Sequence, residues 1–131
     1  MRYLGIDYGK KRIGLAISDE AGQLAFPKEI LENSEKLRQN VFTRIGEIIN
    51  EEKVEEMVVG DSFDYKGEPN AVMIEIRQFV ESLQKEFSLP VRMQKEFLTS
   101  VEARRYQEGS AKADAGAAAL ILQRYLDRIN K

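Results

Sequence analysis

The chain contains no cysteine and no histidine among its 131 residues. Without thiolate or imidazole groups it cannot build a disulfide framework, a zinc site of the finger or hydrolase type, or a Ser-His-Asp or Cys-His catalytic group. Any catalysis must therefore use carboxylates, hydroxyls, lysine, arginine or a hard cation.

Long apolar runs are also missing. No run approaches the roughly 20 residues that a membrane span requires, and the first residues lack a signal-peptide core. We therefore expect a soluble cytoplasmic protein with no membrane contact. The formal net charge is only −2, so binding of a polyanion would have to be local. The length is sufficient for one domain, residues 1–131, with a core that needs no disulfide or structural metal.

The first nineteen residues organise the chain. Their composition predicts short strands over Tyr3–Asp7 and Arg12–Ser18, joined by a tight hairpin turn. Asp7 then ends the first strand, beside a backbone that Gly5 and Gly9 leave bare, and we expect such a backbone to admit a bulky ligand. Taken alone, an aspartate just before a glycine is more often a simple turn former.

The rest of the chain alternates between strand and helix patterns. Pro27 cannot donate to a strand ladder, so the third strand is expected at a sheet edge. The predicted elements are a strand over 23–31, a helix over 35–52 capped by Asn33 and Ser34, a buried strand at 57–59, a polar loop over 61–69, a helix over 70–87, a strand over 91–95, a helix over 99–108 and a last helix over 113–129. This order predicts an α/β fold with a five-stranded mixed sheet, an antiparallel meander on one side and parallel strands on the other, with helices on both faces.

Three acidic residues could converge at one edge of that sheet. Asp7 ends strand one, Glu96 lies just past strand five, and Asp114 begins the last helix on its sheet-facing stripe. Clustered carboxylates repel each other unless a cation neutralises them, and ligation by oxygen alone selects Mg²⁺ or Mn²⁺. A pair of such ions can activate a water and stabilise the leaving oxygen of a phosphodiester. Each acid alone has an ordinary interpretation, as a surface carboxylate or a complement to a helix dipole.

Two basic clusters could bind a phosphate backbone near these acids. One comprises Lys10, Lys11 and Arg12, and the other comprises Arg104 and Arg105. Contacts of this kind position nucleic acid without reading its sequence. Either cluster by itself is equally typical of solvated surface charge.

Four stretches together resemble the YqgF family, also called RuvX, within the ribonuclease H-like fold. They cover residues 5–19, 57–60, 96–103 and 114–126, and the resemblance spans the whole chain. It implies a metal-dependent nuclease whose catalytic and metal-binding carboxylates stand at Asp7, Glu96 and Asp114. It also implies a role in maturing the 5′ end of precursor 16S ribosomal RNA, with cleavage of branched DNA, as by a Holliday junction resolvase, as the older attribution.

The sequence departs from the family pattern at two places. Lys95 and Phe97 replace an acid and an arginine, and Gly60-Asp61-Ser62 replaces the usual Gly-Leu-Pro. We hypothesise that Asp61 supplies a fourth carboxylate to the metal site.

Two other functions stay open, the first because of these departures and the second because that class also opens with an Asp-x-Gly hairpin. A catalytically weak RNA-binding or ribosome-assembly module with the same fold is one alternative. Half of an actin-like or sugar-kinase-like phosphotransferase is another, although that class predicts a second Asp-Gly hairpin and a much longer chain. The residue types do not decide RNA against DNA, nor a monomer against a homodimer.

Overall fold

The computed structural model describes residues 1–63, 71–97 and 115–131. Within them the elements are β1 (Arg2–Tyr8), β2 (Arg12–Ser18), β3 (Ala25–Glu32), α1 (Arg38–Glu52), β4 (Val54–Phe63), α2 (Ala71–Phe87), β5 (Val91–Phe97) and α3 (Ala115–Ile129). The helix predicted over 99–108 lies outside the described residues. No helix in the described ranges is long and apolar enough to cross a membrane.

The sheet has the strand order β3-β2-β1-β4-β5. The pairs β1–β2 and β2–β3 are antiparallel, whereas β1–β4 and β4–β5 are parallel. The predicted mixed sheet is therefore confirmed, and β3, which carries Pro27, lies at an edge as expected.

Each face of the sheet packs against helices and so forms a separate hydrophobic core. On one face Leu4 and Ile6 of β1 pack with Ile45 of α1 and Phe79 of α2. On the other face Tyr3 belongs to a smaller cluster formed mainly with residues of α3. Because alternate strand residues point to opposite faces, Asp7 shares the α3 face with Tyr3 and position 5.

Gly5 lets α3 approach the sheet closely. A Cβ atom at Gly5 would lie 2.7 Å from the Cβ of Leu122 and 3.0 Å from the carbonyl oxygen of Ala118. The bare backbone therefore admits the last helix, not a ligand as expected from the sequence. Further along α3 the ring of Tyr125 lies 6.0 Å from that of Tyr3. The helix thus runs antiparallel to β1, and its amino end points toward Asp7.

Strands β4 and β5 extend further than their sequences predicted. Asp61, predicted in a polar loop, lies within β4, and Glu96, predicted just past β5, lies inside it. The physical reason is mutual pairing, since Asp61 is in register with Lys95 and Ser62 with Glu96. Such pairing joins distant parts of the chain, so it is invisible to local composition.

Helix α1 begins at Arg38, three residues later than predicted. The Leu37 N–H donates to Ser34 Oγ at 3.2 Å, so Ser34 stabilises a turn before the helix. Asn33 is not a cap either, because its side-chain amide donates to the carbonyl of Gly9 at 2.7 Å. It ties the β1–β2 turn to the chain that enters α1.

Candidate active site

Asp7 is buried at the carboxyl end of β1. Its exposed fraction is 8%, and its backbone is in register with Gly14 of the neighbouring strand, which places no side chain beside it. In open α/β sheets, ligands bind beside the carboxyl ends of the strands. The Asp7 carboxylate is therefore in a position to face a ligand at this edge of the sheet.

The backbone position of Glu96 lies on the same edge and the same face. Ile6, Val59 and Met93 lie side by side in β1, β4 and β5, and all three face the side opposite Asp7. Position 96 comes three residues after Met93 and therefore faces the same side as Asp7. Position 96 also lies two residues beyond position 94 and so faces the same way. At position 94 the side-chain amide oxygen of Gln94, Oε1, accepts a hydrogen bond from Arg128 of α3. From the strand spacings and register, the Cα atoms of Asp7 and Glu96 are about 12 Å apart.

The predicted acidic triad is only partly within the described residues. Asp114 immediately precedes Ala115, the first described residue of α3, and lies outside them. In residues 1–63, 71–97 and 115–131, no group of three acidic side chains is close enough to hold a metal ion. The structure thus brings Asp7 and the backbone of Glu96 to one rim of the sheet.

Asp61 lies on the opposite face of the sheet from Asp7. Its exposed fraction is 6%, and its carboxylate lies 3.7 Å from the guanidinium of Arg77 on α2. Burial raises the pKa of Asp61, while the charges of Arg77 and Lys95 partly offset that effect. Two of the departures from the family pattern, Asp61 and Lys95, are therefore cross-strand neighbours of opposite charge.

The hairpin turn carries the first basic cluster at the same end of the sheet as Asp7. Lys10, Lys11 and Arg12 are exposed, and the Lys10 ammonium lies 3.5 Å from a Glu75 carboxylate oxygen. Arg104 and Arg105 of the second cluster lie outside the described residues. The first cluster is placed where a phosphate backbone could reach it.

A cavity of about 480 Å³ opens beside this turn. Sequence reasoning missed it, because its walls come from three separate segments. The available signals were Tyr8, which directly follows Asp7, and Asn33, which accepts a hydrogen bond from Arg38 in the cavity wall and does not cap a helix. The described residues that line the cavity are Tyr8, Lys10, Ser34, Glu35, Arg38, Glu75 and Gln78.

Comparison with solved structures identifies the class of fold. A structure of RuvC from Thermus thermophilus superposes with a TM-score of 0.57 at 18% identity, covering 99% of this chain and 97% of that one. A second structure, of T. thermophilus RuvC in complex with a Holliday junction substrate, gives a TM-score of 0.56 at 18% identity, covering 98% and 96%. The chain therefore has the RuvC-like form of the ribonuclease H-like fold.

Sequence comparison identifies the family. The family model described as "RuvX: Holliday junction resolvase" matches residues 1–128. A relative from Nitratidesulfovibrio vulgaris is 36% identical, with 97% of this chain and 94% of the relative covered, and one from Streptococcus thermophilus is 35% identical, with 98% and 99% covered. Both carry the name "Putative pre-16S rRNA nuclease". The chain belongs to the RuvX family, which confirms the resemblance drawn from its motifs.

Proposed function

We propose that this protein is a divalent-metal-dependent nuclease that hydrolyses phosphodiester bonds of precursor 16S ribosomal RNA during 5′-end maturation in the cytoplasm. Membership of the RuvX family and the names of the relatives support the substrate class. The observation that carries the chemistry is the placement of Asp7 and the backbone of Glu96 on one edge and one face of the sheet.

The donor groups suit a hard cation. Asp7, Glu96 and Asp114 offer only carboxylate oxygens, which fit Mg²⁺ or Mn²⁺ and not zinc or copper. A bound ion would supply a Lewis acid that activates water and neutralises charge on the phosphate. We assign Asp114 to this set because α3 runs antiparallel to β1, with its amino end toward Asp7.

Asp61 is left out of the proposed ligand set. Its side chain lies on the face of the sheet that α2 covers, where its carboxylate forms an ion pair with the guanidinium of Arg77. A metal ligand on that face could not share an ion with Asp7, because the sheet separates the two side chains. The fourth-carboxylate hypothesis therefore loses its structural basis.

The basic residues would bind the substrate backbone. Lys10, Lys11 and Arg12 are exposed beside the edge that carries Asp7. We propose that they contact phosphates there and that Arg104 and Arg105 contact the strand further along. Such contacts orient the scissile bond without reading sequence.

The first test is cleavage by the wild type and by Asp7→Asn, with Mg²⁺ or Mn²⁺, on a precursor 16S leader RNA. We expect the wild type to cut, and the variant to lose at least about 100-fold in rate, since even residues that only support a metal ligand commonly cost 10–100-fold. Asp127→Asn on the exposed far part of α3 is the matched control and should cut normally.

A four-way DNA junction assayed in parallel tests the second candidate function, a branched-DNA endonuclease. The description of the family model favours that candidate. Cutting of the junction alone would replace the RNA assignment, and it would imply a homodimer, since two strands must be cut. A folded, metal-supplied protein that cuts neither substrate would be a binding module.

A further inference from the structure

The cavity beside the β1–β2 turn lies on the face of the sheet opposite Asp7. Tyr8 follows Asp7 in β1 and belongs to the α1 and α2 core, so the two residues point to opposite sides of the same sheet edge. A single strand of nucleic acid that crosses this edge can therefore reach both places. The cavity volume of about 480 Å³ falls within the range of about 300–1,000 Å³ typical of small-molecule sites.

Arg38 places a positive charge in the cavity wall, and the groups that hold its side chain there are neutral. Its guanidinium donates to Tyr8 Oη at 3.2 Å and to Asn33 Oδ1 at 3.4 Å. Its central carbon also lies 5.8 Å from the ring centre of Tyr8 and 5.5 Å from that of Phe79. These four contacts are with neutral groups, and a guanidinium bonds more strongly to an anion than to neutral acceptors.

Two other polar groups of the cavity, the Lys10 ammonium and the Tyr8 hydroxyl, are loosely engaged. Lys10 lies 3.5 Å from Glu75, and the Tyr8 hydroxyl donates to Glu75 at 3.5 Å, the long limit for a hydrogen bond. Lys10 is 66% exposed, so it can turn toward a phosphate at little cost. The Glu75 carboxylate can then accept hydrogen bonds from the hydroxyls of a sugar or the edge of a base, and the Gln78 amide can donate hydrogen bonds to these groups or accept them.

We propose that this cavity binds one nucleotide of a single-stranded segment of the substrate, with its phosphate between Arg38 and Lys10 and its base and sugar against Glu75 and Gln78. An unpaired nucleotide is required, because only an unstacked base can enter such a cavity. The inference rests on the proposed function and adds a subsite to it, on the far side of the sheet edge from the scissile bond.

The test uses the four nucleoside monophosphates as probes, titrated without metal into the isotopically labelled protein. Chemical-shift changes are expected at the amides of Lys10, Ser34 and Gln78. Arg38→Gln should weaken binding by about tenfold or more, the usual effect of losing a charged hydrogen bond. Lys36→Gln removes an exposed charge two residues away, outside the lining residues, and should bind normally.

A second variant guards against an effect on folding. Lys10→Gln changes an exposed turn residue and should weaken binding in the same direction while the thermal midpoint stays unchanged. Shift changes confined to the surroundings of Asp7, or equal affinity of wild type and Arg38→Gln, would overturn the subsite. Because the titration requires neither metal nor cleavage, a protein that binds nucleotides here but cuts nothing would refute only the proposed function.

Discussion

At the scale of single residues, Asp61 shows how a buried carboxylate near the end of a strand can face away from the proposed metal site. Its Oδ1 atom is buried and, among the described residues, has no hydrogen-bond partner. Burial raises its pKa, and Arg77 and Lys95 reduce the shift without cancelling it. The native state therefore holds the Asp61 proton more tightly than the unfolded chain does.

This shift predicts a pH-dependent difference between the wild type and Asp61→Asn. A raised native pKa means that the wild type loses stability relative to the variant as pH rises from the ordinary value of 3.8 through the native pKa. Urea unfolding of both proteins at several pH values measures the difference in free energy of unfolding. Asp127→Asn, at an exposed position, controls for the loss of one negative charge.

The opposite slope would contradict that prediction. If the wild type gained stability over Asp61→Asn as pH rose, the ion pair with Arg77 would outweigh the cost of burial. The pKa of Asp61 would then lie below its ordinary value.

Strand alternation predicted the face of Asp7 correctly, but local composition did not predict that Asp61 lies in a strand or which side of the sheet it faces. Asp61 begins a polar segment with turn-forming residues at Gly67 and Pro69, so its sequence favours a loop. Pairing with Lys95 extends the strand instead, and strand alternation then turns Asp61 toward α2. The side was therefore fixed by contacts between segments more than thirty residues apart.

At the scale of elements, the contact between β1 and α3 depends on the absence of a side chain at Gly5. A Cβ there would meet the Cβ of Leu122 at 2.7 Å and a backbone oxygen at 3.0 Å, and neither can move without shifting the helix. At Gly60 the clash is with Cδ1 of Ile121, also at 2.7 Å, but that atom is the end of a flexible side chain. Gly60 is therefore a matched control for Gly5, because an added Cβ atom is equally crowded at both positions but meets a movable side chain only at Gly60.

We expect Gly5→Ala to destabilise the protein by about 1–3 kcal/mol, the usual cost of overpacking. Gly60→Ala should cost less, because Ile121 can change rotamer, whereas the lower entropy of the unfolded chain that alanine brings is common to both variants. Free energies of unfolding in urea compare the two variants directly. Equal costs, or a larger cost at Gly60, would show that α3 does not depend on the bare backbone of β1.

The order of the elements was predictable because periodicity in a sequence is a local signal. The apolar residues at positions 41, 45 and 48 identified α1 correctly, and they are buried. Its start was wrong, because Ser34 accepts a hydrogen bond from Leu37 and so stabilises a turn, not the first turn of the helix. The cavity was not predictable, since Tyr8, Arg38 and Glu75 meet only after three elements have packed.

At the scale of the whole molecule, charge is nearly balanced but unevenly placed. The formal net charge is −2, yet three consecutive cations occupy the turn beside Asp7 and the first position of β2. We propose that residues 1–131 form one domain, because both cores are built on the same sheet. The basic turn would then act as the local electrostatic footprint of an otherwise slightly acidic protein.

Replacing Lys10, Lys11 and Arg12 together with glutamine should make RNA binding less sensitive to salt. If all three contact phosphates, the slope of log Kobs against log salt should fall in magnitude by about 2, since each contact with a single strand contributes about 0.7. Fluorescence anisotropy with a single-stranded RNA, in an Asp7→Asn background that prevents cleavage, measures the slope.

The matched control replaces three exposed lysines elsewhere, Lys36, Lys85 and Lys131, with glutamine. It changes the net charge equally and should leave most of the slope intact. Equal slopes for the two triple variants would mean that overall charge, and not the basic turn, governs binding.

Because α3 packs on β1, the face of the sheet that carries Asp7 is completed only late in the synthesis of the chain. A ribosome makes the amino-terminal part of a chain first, so Asp7 is synthesised more than a hundred residues before the helix that covers its side of the sheet. That face cannot be completed until translation has passed α3. A protein that acts on ribosomal RNA, as proposed above, would thus be inert until α3 has left the exit tunnel of the ribosome that makes it.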